Sequence, residues 1–167
     1  MDGVAREIQL ARPRVYAAYP TRDDLLAALR EREQTTVIAD LAQAMPEFEP
    51  DRTFANILTE AATNLLTAAS QRPESWLLLL APADGGGDEL RALVDQSRDF
   101  ALGRLRDLVR WGIANKSLPD TDVELLAESL LAIGEQATRR VVTDPEQYTP
   151  ERYAAFIAQA LSVIAPK

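Results

Sequence analysis

Residues 4–26 read VAREIQLARPRVYAAYPTRDDLL. Ile8 to Arg22 inside this stretch is acid-free and holds Arg12, Arg14 and Arg22 interleaved with Tyr16 and Tyr19. Such a window stands out in a chain with 18 Lys+Arg, 26 Asp+Glu and a formal net charge of -8. Arginine forks two hydrogen bonds to a phosphate or a guanine, and tyrosine hydroxyls bond phosphate oxygens, so the patch suits a nucleic-acid backbone. A solvated face of an arginine-biased protein is the competing account, since 16 of the 18 basic residues are Arg. Proline interrupts the window at 13 and 20. Thr21 and Asp24 then have the spacing of a capping box that opens a helix.

The same kind of punctuation continues along the chain. Alanine (27) and leucine (23) far outnumber valine plus isoleucine (16), and apolar residues recur at three and four, which predicts an all-α protein. Ten prolines mark the breaks. A first long helix is expected from Thr21 to about Met45, apolar at both ends and polar from Arg30 to Thr36, a pattern suited to bridging two packed bodies. The next helix is expected over Asp51 to Ser70, with Phe54, Ile57, Leu58, Ala61, Leu65 and Ala68 on one face. Pro73 opens a short helix to Ala81. Ala83 to Asp88, with three consecutive glycines, reads as a flexible connection. Glu89 to Asn115 carries apolar residues on more than one side. Thr121 and Glu124 form a second expected capping box, opening a helix to about Val142, and Thr149-Pro150 opens the last one, to about Ile164.

Composition removes several classes of function. With no His and no Cys, the chain has no disulfide framework, no Cys or His metal site, and none of the triads that need those residues. No catalytic residue, metal or cofactor is assigned, and an enzyme is not expected. Acidic groups such as Asp120, Asp122 and Glu124 read as charges favoured at a helix N-terminus. No apolar run is long enough to span a bilayer and no signal peptide opens the chain, so a soluble, cytoplasmic protein without a membrane partner is expected.

The order of residues in 4–26 resembles the second half of the helix-turn-helix head of the TetR family of bacterial transcriptional regulators. Ala5-Arg6-Glu7 match the family's helix before the turn, Val15-Tyr16 and Tyr19 match its recognition helix, and Thr21-Arg22-Asp23-Asp24-Leu25-Leu26 match the start of the connecting helix. The helices counted above occur in the family's order, so the resemblance implies a remnant head in residues 1–34, with the family's first helix absent, and an effector-binding and dimerisation body in 35–167. It implies Arg12 and Arg14 at base edges or phosphates, Tyr16 and Arg22 on phosphates, and Tyr19 in the core. Ile8-Gln9, Ala11 and Ala18 depart from the pattern, at the turn, the cap and a DNA-reaching position. Residues 1–34 carry six basic and six acidic groups, so the whole negative excess lies in 35–167.

The resemblance further implies a ligand-responsive repressor that binds operator DNA as a homodimer and is released by a small hydrophobic effector. The alternative is a dimeric helical small-molecule-binding or scaffold protein that has lost DNA binding. Expected to line an effector pocket are Phe54, Ile57, Leu58, Asn64, Trp76, Phe100 and Trp111, for each of which core packing is the ordinary role. The expected dimer face comprises Leu126, Ala127, Leu130, Gly134 and Ala137 with Tyr153, Phe156, Ile157 and Leu161, because both helices are apolar over wide arcs.

Overall fold

The computed structural model describes residues 11–80 and 87–164. These form seven helices: α1 (Arg12–Ala18), α2 (Arg22–Ala44), α3 (Phe54–Gln71), α4 (Pro73–Leu80), α5 (Gly87–Ala114), α6 (Val123–Thr143) and α7 (Pro150–Ile164). No strand occurs among the described residues. Ala5-Arg6-Glu7 and Ile8-Gln9 of the expected turn, and most of the glycine-rich connection, lie outside them.

The helix starts reflect local side-chain chemistry. Thr21 and Asp24 cap α2 reciprocally, with Asp24 N donating to Thr21 Oγ1 at 3.1 Å and Thr21 N to Asp24 Oδ2 at 2.9 Å. Ala11 has no side chain to cap α1, whose first turn is set instead by Pro13. Three expected starts are displaced. α3 begins at Phe54 and not at Asp51, because Thr53 Oγ1 accepts the Asn56 amide at 3.2 Å. α6 is capped by Asp122, which accepts from Leu125 N at 3.0 Å, and not by a Thr121/Glu124 box; Glu124 turns instead to Arg106, 2.6 Å away. α5 starts two residues earlier than expected, at Gly87.

α3 lies at the centre, packed against α2, α5, α6 and α7, while α5 pairs with α6 and α4 sits among α2, α3 and α6. Phe54, Ile57, Leu108 and Val109 form a closed core where α3 meets the end of α5. Gly112 lets the helices approach closely there: a Cβ on it would stand 3.0 Å from the Phe54 ring and 3.2 Å from Leu118. The turn after α5 then closes through Lys116 at φ 64°, with the Gly112 carbonyl accepting from Ser117 N and Leu118 N.

The polar middle of α2 has polar partners on the body. Gln34 Nε2 donates to Gln96 Oε1 at 2.8 Å, Ser75 Oγ donates to Glu33, and buried Asp40 pairs with Arg72. The Ser75 hydroxyl, and then Arg32, hold the Glu33 carboxyl below the ordinary glutamate range. One side of the segment docks on the body through these polar contacts, while Glu31, Arg32 and Thr35 face solvent.

Candidate functional site

Between α2 and the helices behind it the interior is hollow. A cavity of about 330 Å³ is walled by residues of all six helices from α2 to α7. Its origin is side-chain size: Ala44, Ala61, Ala62, Ala101, Ala137, Ala160 and Gly134 line it, and a Cβ built on Gly134 would meet nothing within 4 Å. Leucines and Val37 supply most of the rest. Ile133 and Phe156, each 65% exposed, also belong to the wall, so the cavity reaches the surface between α6 and α7.

Few polar groups face this space. Arg98 Nε is 3.0 Å from Glu135 Oε1, so one cation and one anion of the wall neutralise each other. Arg104 has no ion pair among the described residues; its guanidinium lies 5.9 Å from the centre of the Phe48 ring, and its buried Nε has no hydrogen-bond partner there. Trp76, 5% exposed, likewise leaves its buried Nε1 without a partner among them. Thr138 Oγ1 is satisfied by the Gly134 carbonyl at 2.8 Å. Burial, and then neighbouring Tyr148, push the Tyr153 phenol upward against the opposing pull of Arg140 and Arg152, so it stays a neutral donor.

At the other end of α2, α1 presents Arg14 and Tyr16 to solvent, with Arg22 exposed at the start of α2. Arg12 is the first residue of α1. Val15 is buried and Tyr19 half-buried, which fits a packing role for Tyr19. Neither Arg14 nor Arg22 has an acidic partner among the described residues, leaving both cations available to an anionic surface.

No family sequence model matches the chain, and no curated protein matches it significantly in sequence. Solved structures do match. A bacterial regulatory protein in the TetR family from Rhodococcus RHA1 aligns over 95% of this chain and 83% of its own, with a TM-score of 0.66 at 19% identity. The transcriptional regulator FadR from Bacillus subtilis, in complex with stearoyl-CoA, aligns over 95% and 84%, with a TM-score of 0.69 at 14% identity. The fold is TetR-like. At these identities the likeness is one of fold.

Within this TetR-like fold the expected pocket residues separate. Leu58 and Trp76 line the cavity. Phe54, Ile57 and Trp111 belong to the closed core instead, because they occupy the stripe where α3 and α5 touch. Asn64 is exposed and donates to the Ala44 carbonyl at 3.2 Å, and half-buried Phe100 stands outside the wall. Arg98, Arg104 and the alanines are wall residues that apolar periodicity does not single out; an arginine inside an apolar helical stripe is the signal the sequence offers for them.

The expected dimer face separates too. Ala127 and Ala137 are already buried within one chain, Ala137 in a cluster with Leu66 and Val141, so their small size serves contacts inside the chain. Leu126 and Leu130 pack on the closed core. Leu130, Gly134, Tyr153, Ile157 and Leu161 line the cavity, and Tyr153 also stacks on Tyr148 with ring centres 6.3 Å apart. Phe156 is exposed, and Leu125 and Ile133, absent from the expected face, are exposed apolar residues of the same kind. Among the described residues no cluster of acidic groups is placed to hold a metal, and no helix is long and apolar enough to cross a membrane.

Proposed function

We propose that this protein is a ligand-responsive transcriptional regulator acting in the cytoplasm as a homodimeric repressor, without catalysis. The observation that carries this reading is an almost wholly apolar cavity at the centre of a TetR-like fold, joined to an arginine- and tyrosine-bearing helix by one continuous helix. Arg12, Arg14, Tyr16 and Arg22 contact operator DNA, largely through phosphates. A small hydrophobic or amphipathic effector occupies the cavity. Stearoyl-CoA in FadR, a protein of the same fold, supports an effector with an apolar chain.

Coupling runs through α2. Val37, Leu41 and Ala44 of that helix belong to the cavity wall, and its first residue is Arg22. An effector that binds one arrangement of α2 better than another shifts the population of head spacings in a dimer. Leu125, Ile133 and Phe156 supply the apolar surface for the second subunit.

Gel-shift titration against DNA upstream of its own gene tests the regulator reading. Binding is expected to weaken when Arg14 and Arg22 are replaced by Ala, and to fall steeply with salt. Light scattering during size exclusion should give twice the chain mass. A chain that dimerises and binds apolar ligands, yet shifts no DNA even at low salt, would establish the helical binding-protein alternative instead.

A further inference from the structure

We infer that the cavity selects an elongated anionic amphiphile whose head group accepts hydrogen bonds from Arg104. The inference deepens the reading of the cavity as an effector site and rests on it. Among the described residues the charged side chains of the wall are Arg98, Arg104 and Glu135. Arg98 and Glu135 pair at 3.0 Å, which leaves one positive charge uncompensated among the described wall residues, in a chain whose net charge is -8.

The geometry of Arg104 points the same way. Its guanidinium carbon lies over the Phe48 ring, 5.9 Å from the ring centre, and a ring face accepts no conventional hydrogen bond in place of a ligand's acceptor. The Arg104 Nε is buried without a partner among the described residues, and a buried donor left unpaired is costly. The other such atom among them, Trp76 Nε1, is also a donor and also belongs to the wall. An acceptor head group is matched at Arg104, where the unpaired donor and the positive charge coincide. A cationic ligand would leave Arg104 Nε unpaired and face Arg104 with a like charge, and Glu135 is already engaged by Arg98.

The shape is set by α5. Val94 packs with the Trp76 cluster, and Arg104 stands ten positions further along the same helix, which places the two about 15 Å apart along the axis. Ala101 and the facing alanines of α3 keep the space between them open. The head group therefore sits at Arg104 and the apolar chain runs toward Trp76.

Isothermal titration of the full chain with decanoate, decanol and decylamine, which share one alkyl chain, tests this. Decanoate is expected to bind about tenfold to hundredfold more tightly than decanol, the ratio expected of a charge-assisted hydrogen bond, and decylamine more weakly than either. R104M should bring decanoate down to the decanol level while decanol binding stays within about twofold, and R104K should retain part of the preference. Decylamine binding as tightly as decanoate, or R104M keeping the full preference for decanoate, overturns the inference while leaving the apolar effector cavity standing. Binding of none of the three compounds overturns the cavity reading and this inference with it. If R104M fails to fold, shown by loss of decanol binding and of helical circular dichroism, the three-ligand ranking on the wild-type chain still decides.

Discussion

Around Phe54, Ile57, Leu108 and Val109 the helices close on one another, whereas around Trp76, Ala101 and Arg104 the same α3 and α5 enclose about 330 Å³ of space. The closed end is built from large side chains and one glycine that lets α5 approach Phe54. The hollow end has alanines where large residues would meet, and α2 and α4 are fastened beside it by polar contacts: Glu33 to Ser75, Gln34 to Gln96 and Asp40 to Arg72. Close packing of large side chains holds one end; a smaller buried cluster around Trp76 together with directed hydrogen bonds holds the other. Stability can thus reside in one half while the other keeps room for a guest.

The contrast can be broken most directly at the closed end. Ile57 is completely buried, and I57A should cost about 2–4 kcal/mol in urea unfolding, through lost burial plus an unfilled void; a loss under about 1 kcal/mol would mean this end is not close-packed. G112A forces a methyl group against Phe54 and Leu118 and should cost about 1–3 kcal/mol. At the hollow end the sign reverses. A101L adds bulk to empty space, so stability should stay level or rise by up to about 1 kcal/mol, while decanoate binding falls by more than about tenfold. Destabilisation by A101L as large as that of G112A would erase the distinction between the two ends.

The smallest effect sharpens the comparison through pH. Glu33 has its carboxyl held low by Ser75 and Arg32, so its stabilising contribution is complete above the ordinary glutamate range and is lost as pH falls through the lowered folded value. E33Q should flatten the acid side of the stability profile in that window and leave the profile above neutrality unchanged. Hydrogen exchange should locate the wild-type loss on α2 and α4 and spare the closed core. An equal acid slope in wild type and E33Q would remove Glu33 from the fastening.

The order of helices was legible because proline, Thr-Asp capping and the recurrence of apolar residues at three and four act within a turn or two of chain. The Thr21–Asp24 box and the Pro73 start needed no tertiary partner. Displaced starts at Phe54 and Val123 show the limit of that locality: two adjacent capping candidates compete, and Glu124 was drawn away by Arg106 on another helix. The site was less legible. Phe54 and Ile57 share the apolar stripe of α3 with Leu58, yet of the three Leu58 alone reaches the cavity, because helical periodicity ranks faces by apolarity and cannot tell a face that meets a neighbour from one that meets space.

The sequence by itself determined an all-helical chain with an acid-free, arginine- and tyrosine-bearing window near its start and an acidic body, since composition and short-range spacing are properties of the chain. Only the tertiary structure decided where the interior closes and where it stays hollow. It also decided that Ala127 and Ala137 turn inward while Leu125 and Ile133 turn outward, and that Arg104 is, among the described residues, a cation of the cavity wall without an anion. Those outcomes depend on which side chains from distant segments arrive at the same place, and the sizes and charges that meet there are set by packing between helices.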